Sequence, residues 1–242
     1  MVKKNVSVSL LLPPSEGKAE GGRGRWDPGA GRQATFRALG DRRAQVARAL
    51  AAVGGGDEKL LGVGGAHLAR AQSANTSLLG APTLPAARRY TGVVWDHLDL
   101  ASLDAAARTR ATSSIAVVSG LLGVVGVDDQ VPDYRLKMGA SLAPMGKLST
   151  WWRPAVSEAI NTWARRRVVI DLLPQEHRAA WVPEGVQGVS VSFVERSGKV
   201  AGHDAKAAKG RLARHVLTFD GHPLDALAAW SDERFDLAVV PL

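Results

Sequence analysis

VVSGLLGVVGVDDQVPDYRLKMG, residues 117–139, is the stretch on which the fold turns. It opens on valines, passes Gly120, Gly123 and Gly126 at intervals of three, and ends in Tyr134, Arg135 and Lys137. Such glycines can do one of two things. They can make tight turns with accessible N–H groups that grip phosphate, as helical hairpins do. They can equally let the backbone pack closely in a buried strand-to-helix turn. Residues 115–118 read as a buried strand. Arg135 and Lys137 are two apart and share a face in an extended segment, with Tyr134 opposite or stacking. Asp128 and Asp129 place negative charge beside any phosphate grip.

Working outward, the chain has 242 residues, 45% hydrophobic and 22% charged, a globular composition long enough to bury a real core. One domain, 1–242, is expected, since no linker or repeat interrupts it. There is no cysteine, so disulfides and thiolate zinc sites are excluded. Thirty-one Lys and Arg against 23 Asp and Glu give a net charge of +8. That balance favours DNA or another phosphorylated ligand as partner. MVKKNVSVSLLLPP resembles a signal peptide, yet the apolar run stops at Pro13 and Pro14 with no small-residue cleavage site. The expectation is a cytoplasmic protein with no membrane span. The six histidines are scattered without metal-like pairing, and no GxSxG is present. No metal and no cofactor is expected.

Along the chain, residues 6–12 read as a first strand and 13–32 as a Gly- and Pro-rich loop. Helices are predicted over 35–53 and 149–166, with further helical segments after residue 56 and after residue 100. Residues 167–181 read as strand, turn and short helix. Residues 186–203 read as two strands joined by a turn at 196–199. A basic helix to about 219 and a last strand at 235–240 follow. The fold class is α/β (mixed α+β): a single compact domain with a mixed sheet and flanking helices.

Three segments carry candidate chemistry. In LLPPSEGKAEGG, Gly17 and Lys18 form part of a phosphate-loop pattern, but the Walker spacing is missing. A loop at the carboxyl end of a strand is nonetheless where α/β proteins place ligands, so Ser15 and Lys18 are site candidates. In the basic helix, Ala205, Ala208, Leu212 and Val216 gather on one face and leave Lys206, Lys209 and Arg214 turned away. A cationic helix over an anion and a solvated surface helix share that geometry. His203 precedes it, as a structural neighbour or a proton carrier. Asp171, Glu176 and His177 sit where a strand yields to a turn, and face a site or cap the turn. Trp151, Trp152 and Trp163 have helical core spacing.

Taken in order, PPSEGKA, YTGVVWDHLD, VVSGLLGVV with PDYRLKMG, LSTWWRPAVSEAI, VVIDLLPQEH and HDAKAAKGRLAR resemble the YaaA-type peroxide-stress protein family. The resemblance spans nearly the whole chain. It implies a compact α/β domain with a positively charged cleft and a helix-hairpin-helix-like element. It also implies DNA binding and a cytoplasmic role in limiting oxidative damage linked to iron. Matching positions are Ser15, Lys18, Tyr90, Thr91, Gly92, Ser119, Gly120, Gly123, Tyr134, Arg135, Met138, Gly139, Lys206, Lys209, Gly210 and Arg214. GVDDQV and AGHDAKAA depart from the family pattern, which points to a specialised partner such as a small nucleotide or metabolite.

Two readings follow. In the first, a DNA-binding stress protein, Ser15, Lys18, Thr91, Gly120, Gly123, Arg135, Lys137, Lys206, Lys209 and Arg214 contact phosphate. In the second, an enzyme on a nucleotide, nucleobase or other small anion, Lys18, Tyr134, Arg135, His203 and Lys206 are catalytic. An enclosed pocket holding these side chains favours the second, and an open basic groove favours the first.

Overall fold

Strand β1 (Val8–Leu12) is buried at every position, apolar side chains pointing to both faces of a sheet. That is the pattern of a central parallel strand covered by helices on both sides. The computed structural model describes residues 6–29, 35–197 and 204–242, and β1 is at its centre. It pairs in parallel with β2 (Ile115–Ser119) on one side. On the other side it pairs in parallel with β4 (Val168–Asp171), which pairs in parallel with β5 (Gln187–Glu195). Antiparallel strands close both edges: β3 (Gly123–Gly126) beside β2, and β6 (Phe235–Pro241) beside β5. The order is β6-β5-β4-β1-β2-β3. The chain therefore leaves β1 for one neighbour and returns later to the other. The crevice outside the carboxyl end of β1 is the switch point at which open α/β sheets hold ligands.

The glycine-rich stretch that begins at Val117 resolves in its first part as a β-hairpin. Val117 and Val118 of β2 oppose Val125 and Val124 of β3, and Ser119 opposes Gly123. The helix-hairpin-helix-like element expected there is not found, because β-branched residues flank the glycines and both strands are buried in the sheet. The acid pair belongs to the following turn. Asp129 is buried, and its carboxylate accepts from Gly126 N (2.8 Å) and Thr35 N (3.1 Å). Asp128 is exposed.

The principal helices are α1 (Gly40–Ala52), α2 (Gly65–Thr76), α3 (Val93–Leu98), α4 (Ala105–Ser114), α5 (Leu148–Trp163), α6 (Gln175–Arg178), α7 (Asp204–Thr218) and α8 (Pro223–Ala229). The helix expected to begin at 35 starts at Gly40, after a single 3-10 turn. Trp152 of α5 is fully buried and donates from Nε1 to Gly120 O (2.8 Å), as core spacing predicted. The turn expected at 196–199 follows β5, whose antiparallel partner is β6. The second strand expected there extends into residues 198–203, outside the described residues.

Two arginines are internal. Arg43 donates to Phe36 O, Leu122 O and Val124 O at 2.8–3.1 Å, tying α1 to the hairpin. Arg89, fully buried, gathers the carbonyls of Ala19, Gly21, Pro82 and Val131. Part of the +8 charge is thus spent inside the molecule as carbonyl donors. Among the described residues no helix is long and apolar enough to cross a membrane.

Candidate functional site

The loop that leaves β1 is fixed from both sides. Ser15 Oγ donates to Thr91 O, Thr91 N donates to Gly17 O (3.1 Å), and Ala19 N donates to Arg89 O (2.9 Å). Prolines 13 and 14 restrict the backbone just before it. With Arg89 holding the carbonyls of Ala19 and Gly21 beneath, the loop is a rigid ledge and not a mobile flap.

Lys18 projects from that ledge. Its Nζ donates to Ser15 O (2.9 Å) and lies 4.2 Å from the centre of the Tyr134 ring and 5.8 Å from that of Tyr90. Behind the rings runs a chain of buried hydroxyls, Ser119 Oγ to Tyr134 OH (2.6 Å) to Tyr90 OH (2.9 Å). Burial pulls the Lys18 ammonium down to about 7, assisted by the charges of Arg135 and Arg89 and opposed by Asp133 and Glu16. The neutral amine is therefore far easier to reach near pH 7 than in an ordinary lysine. Burial drives both tyrosines the other way, Tyr134 to about 12, so they stay phenolic.

Lys18 and Tyr134 form one wall of a cavity of about 460 Å³ that Arg135, Lys137, Lys206 and Lys209 also line. These cations come from two supports, the segment at 135–137 and the helix α7. Arg135 is clamped through its backbone: Asn75 of α2, buried, accepts from Arg135 N (3.0 Å) and donates to Arg135 O (2.8 Å). Its guanidinium donates to Leu61 O (3.1 Å) and to Glu16 Oε2 (3.0 Å). Burial acts to raise the Glu16 carboxyl. The Arg135 bond outweighs it with the charges of Arg135, Lys137 and Lys206, and holds Glu16 below the usual carboxylate range. Lys206 and Lys209 arrive on α7. That helix seats closely on α3 because Gly210 has no side chain: a Cβ there would lie 2.3 Å from Val94 O.

The far wall is built by the turn after β4. Asp171 is a turn acid, accepting from Leu173 N (2.8 Å) and Arg178 Nε (2.6 Å). Glu176 and His177 line the cavity instead. Burial, with the charge of Lys209, brings His177 down to about 4, so it is neutral near pH 7. Lys209 donates to Leu172 O, and burial lowers it to about 8. Two residues of this cavity carry buried polar atoms without a hydrogen-bond partner, Trp95 Nε1 and His177 Nδ1. Buried polar groups are nearly always satisfied, so both atoms keep hydrogen-bonding capacity on the cavity side, with Glu176 Oε1 the nearest acid to His177 Nδ1 at 3.6 Å.

Of the residues singled out in the sequence, Ser15, Lys18, Tyr134, Arg135, Lys137, Lys206 and Lys209 surround this one cavity. Thr91 braces the ledge from behind. Gly120 and Gly123 are buried in the hairpin, where Gly120 lies against the backbone of Leu136 and Lys137, away from any open anion grip. Arg214 turns aside and donates to Leu98 O (3.0 Å) and Asp99 O (2.7 Å), closing the end of α3. His203 lies outside the described residues. Glu16, Asn75, Arg89 and Trp95 were not anticipated. Of these, only Glu16, one residue from Gly17–Lys18, carried a signal in the sequence.

The model of the peroxide stress protein YaaA family matches residues 8–239, the sheet and every wall of the cavity. The chain belongs to that family. Its relatives include a UPF0246 protein of Streptomyces coelicolor, 40% identical over 216 residues, covering 86% of this chain and 82% of the relative. A UPF0246 protein of Corynebacterium glutamicum is 34% identical over 212 residues, 85% of this chain and 83% of its own. One from Roseobacter denitrificans is 31% identical over 147 residues, 56% of this chain and 57% of its own. Family membership places the chain among peroxide stress proteins.

Proposed function

We propose that this peroxide stress family member binds a nucleotide unit, free or carried by DNA, and acts on it through Lys18 as nucleophile or base. The observation that carries the reading is the position of Lys18, its Nζ 4.2 Å over the Tyr134 ring in a cavity that Arg135, Lys137 and Lys206 also line, with burial lowering its basicity. A neutral amine offers a lone pair for attack or proton abstraction, which a surface lysine does not near pH 7. The volume falls within the range, roughly 300–1,000 Å³, of pockets that take one small molecule. Lys137 and Lys206 are exposed and can meet phosphate, while Trp95 Nε1 and His177 offer polar contacts deeper in. The described residues of the enzyme reading, Lys18, Tyr134, Arg135 and Lys206, gather around this one space. DNA is the macromolecular form in which such a unit would be presented, with the exposed lysines on flanking phosphates.

The test is calorimetry with nucleoside 5′-monophosphates and anisotropy with gapped duplex DNA at two salt concentrations. Three phosphate-neutralising cations, Arg135, Lys137 and Lys206, give a logarithmic salt slope of about −3 for DNA. Lys206→Met weakens both ligands. Lys18→Met retains binding and loses any conversion of bound nucleotide seen by mass spectrometry. Failure of the wild-type protein to bind either ligand, or DNA affinity indifferent to salt, overturns the proposal.

A further inference from the structure

Beyond the Lys18 wall lies a second cavity of about 410 Å³, between the ledge and α2. The two cavities share Glu16, Gly17, Lys18, Tyr134 and Arg135. Its other lining is unlike that of the first. His67, Arg70 and Asp133 face it beside Ala71 and Ala74, and Arg70 is already paired with Glu20 (2.9 Å) and Asp133 (3.2 Å). Balanced donors, acceptors and two alanine surfaces suit a neutral polar unit such as a base or sugar, not a phosphate. The partition between the cavities carries the Arg135 guanidinium beside Lys18. The carboxylate of Glu16, largely exposed, rests on Arg135 at 3.0 Å. Glu16 occupies the place of an anion on that partition.

We propose that the ligand is bipartite: two nucleoside units joined by a phosphodiester, one unit in each cavity, with the anionic link on Arg135 in place of Glu16. This rests on the nucleotide reading given above and adds to it the length of the ligand and the second subsite. Three features agree. Each cavity is of single-unit size. The shared wall is the cationic part of the second cavity that carboxylates do not already neutralise in full. The residue now accepting from Arg135 is a solvent-exposed side chain, free to swing away at little cost, whereas Arg135 itself is clamped by Asn75.

The experiment compares thymidine 5′-monophosphate with the dinucleoside monophosphate dTpdT, by calorimetry on the full chain. Wild type is expected to bind dTpdT about tenfold or more tightly than the mononucleotide, since the second unit adds contacts to a ligand already held. Ala74→Trp fills the second cavity and removes that advantage while leaving mononucleotide affinity unchanged. His67→Trp, at an exposed position of α2, is the companion variant should Ala74→Trp fail to fold. Glu16→Gln, which surrenders Arg135 more readily, tightens dTpdT several-fold. Equal affinity of wild type for the two probes, or an advantage that survives both tryptophans, overturns the bipartite ligand and leaves the single-nucleotide reading standing. Binding of neither probe overturns both.

Discussion

Lys18→Met replaces a buried amine with an apolar side chain of similar length, and the structure sets the size and sign of the effect. An ordinary lysine titrates at 10.5 and Lys18 at about 7. At about 1.4 kcal/mol per pH unit, holding the folded protein's lysine protonated costs about 5 kcal/mol below pH 7. Because the folded value lies below the unfolded one, the unfolded chain binds more protons between 7 and 10.5. The cost is complete below about 7 and gone above 10.5. Methionine escapes it, but leaves Ser15 O without its donor at 2.9 Å. An unmet carbonyl costs about 1–3 kcal/mol. The variant is therefore about 2–4 kcal/mol more stable than its parent at pH 6 and about 1–3 kcal/mol less stable near pH 10.5, with a crossover between. Urea melts across that range read it directly, and the titrations of Lys209 and His177, common to both proteins, cancel. A difference that stays constant with pH, or a variant that is weaker at pH 6, refutes the account of Lys18.

His177 is expected to remain neutral at pH 5, visible as unshifted imidazole resonances. Its folded value of about 4 lies below the unfolded 6.5, so stability falls as pH drops from 6.5 toward 4, by about 3 kcal/mol in total. Arg89→Met strips the donor from four carbonyls under the ledge and should cost about 3–5 kcal/mol in thermal or urea melts. A loss below about 1 kcal/mol would mean that the ledge is held by its bonds to Thr91 and to the backbone carbonyl of residue 89.

What the sequence showed and hid follows from how residues signal. The first and last strands were legible because runs such as VSLLL and FDLAVV have few alternatives. The glycine stretch was ambiguous because glycine suits both a helical hairpin and a tight β-turn. Its valines, facing one another across β2 and β3, decided the matter only once paired. Lys18 could be found from its glycine in a loop at the carboxyl end of a strand, and Tyr134 with Arg135 from charge beside an aromatic. Arg214 has the same helical spacing as Lys206 and Lys209, yet spends its guanidinium on the carbonyl end of α3. Asn75 and Arg89 act through backbone carbonyls and amides of distant segments, so nothing local in AQSANTS or AARRY distinguishes them from surface residues.

The cavity draws its walls from a ledge near residue 18, a clamp near 135, a turn near 176 and a helix that starts at 204. A polypeptide still on the ribosome, or released early, can possess Lys18 and both tyrosines and still have an incomplete cavity. Burial lowers the basicity of that amine, and the charges that tune it, those of Asp133, Arg135, Glu16 and Arg89, all lie in the first 135 residues. The amine's setting is thus encoded in the first part of the chain, whereas the cavity as a whole is complete only when the last fifth has docked and brought Lys206 and Lys209 to it.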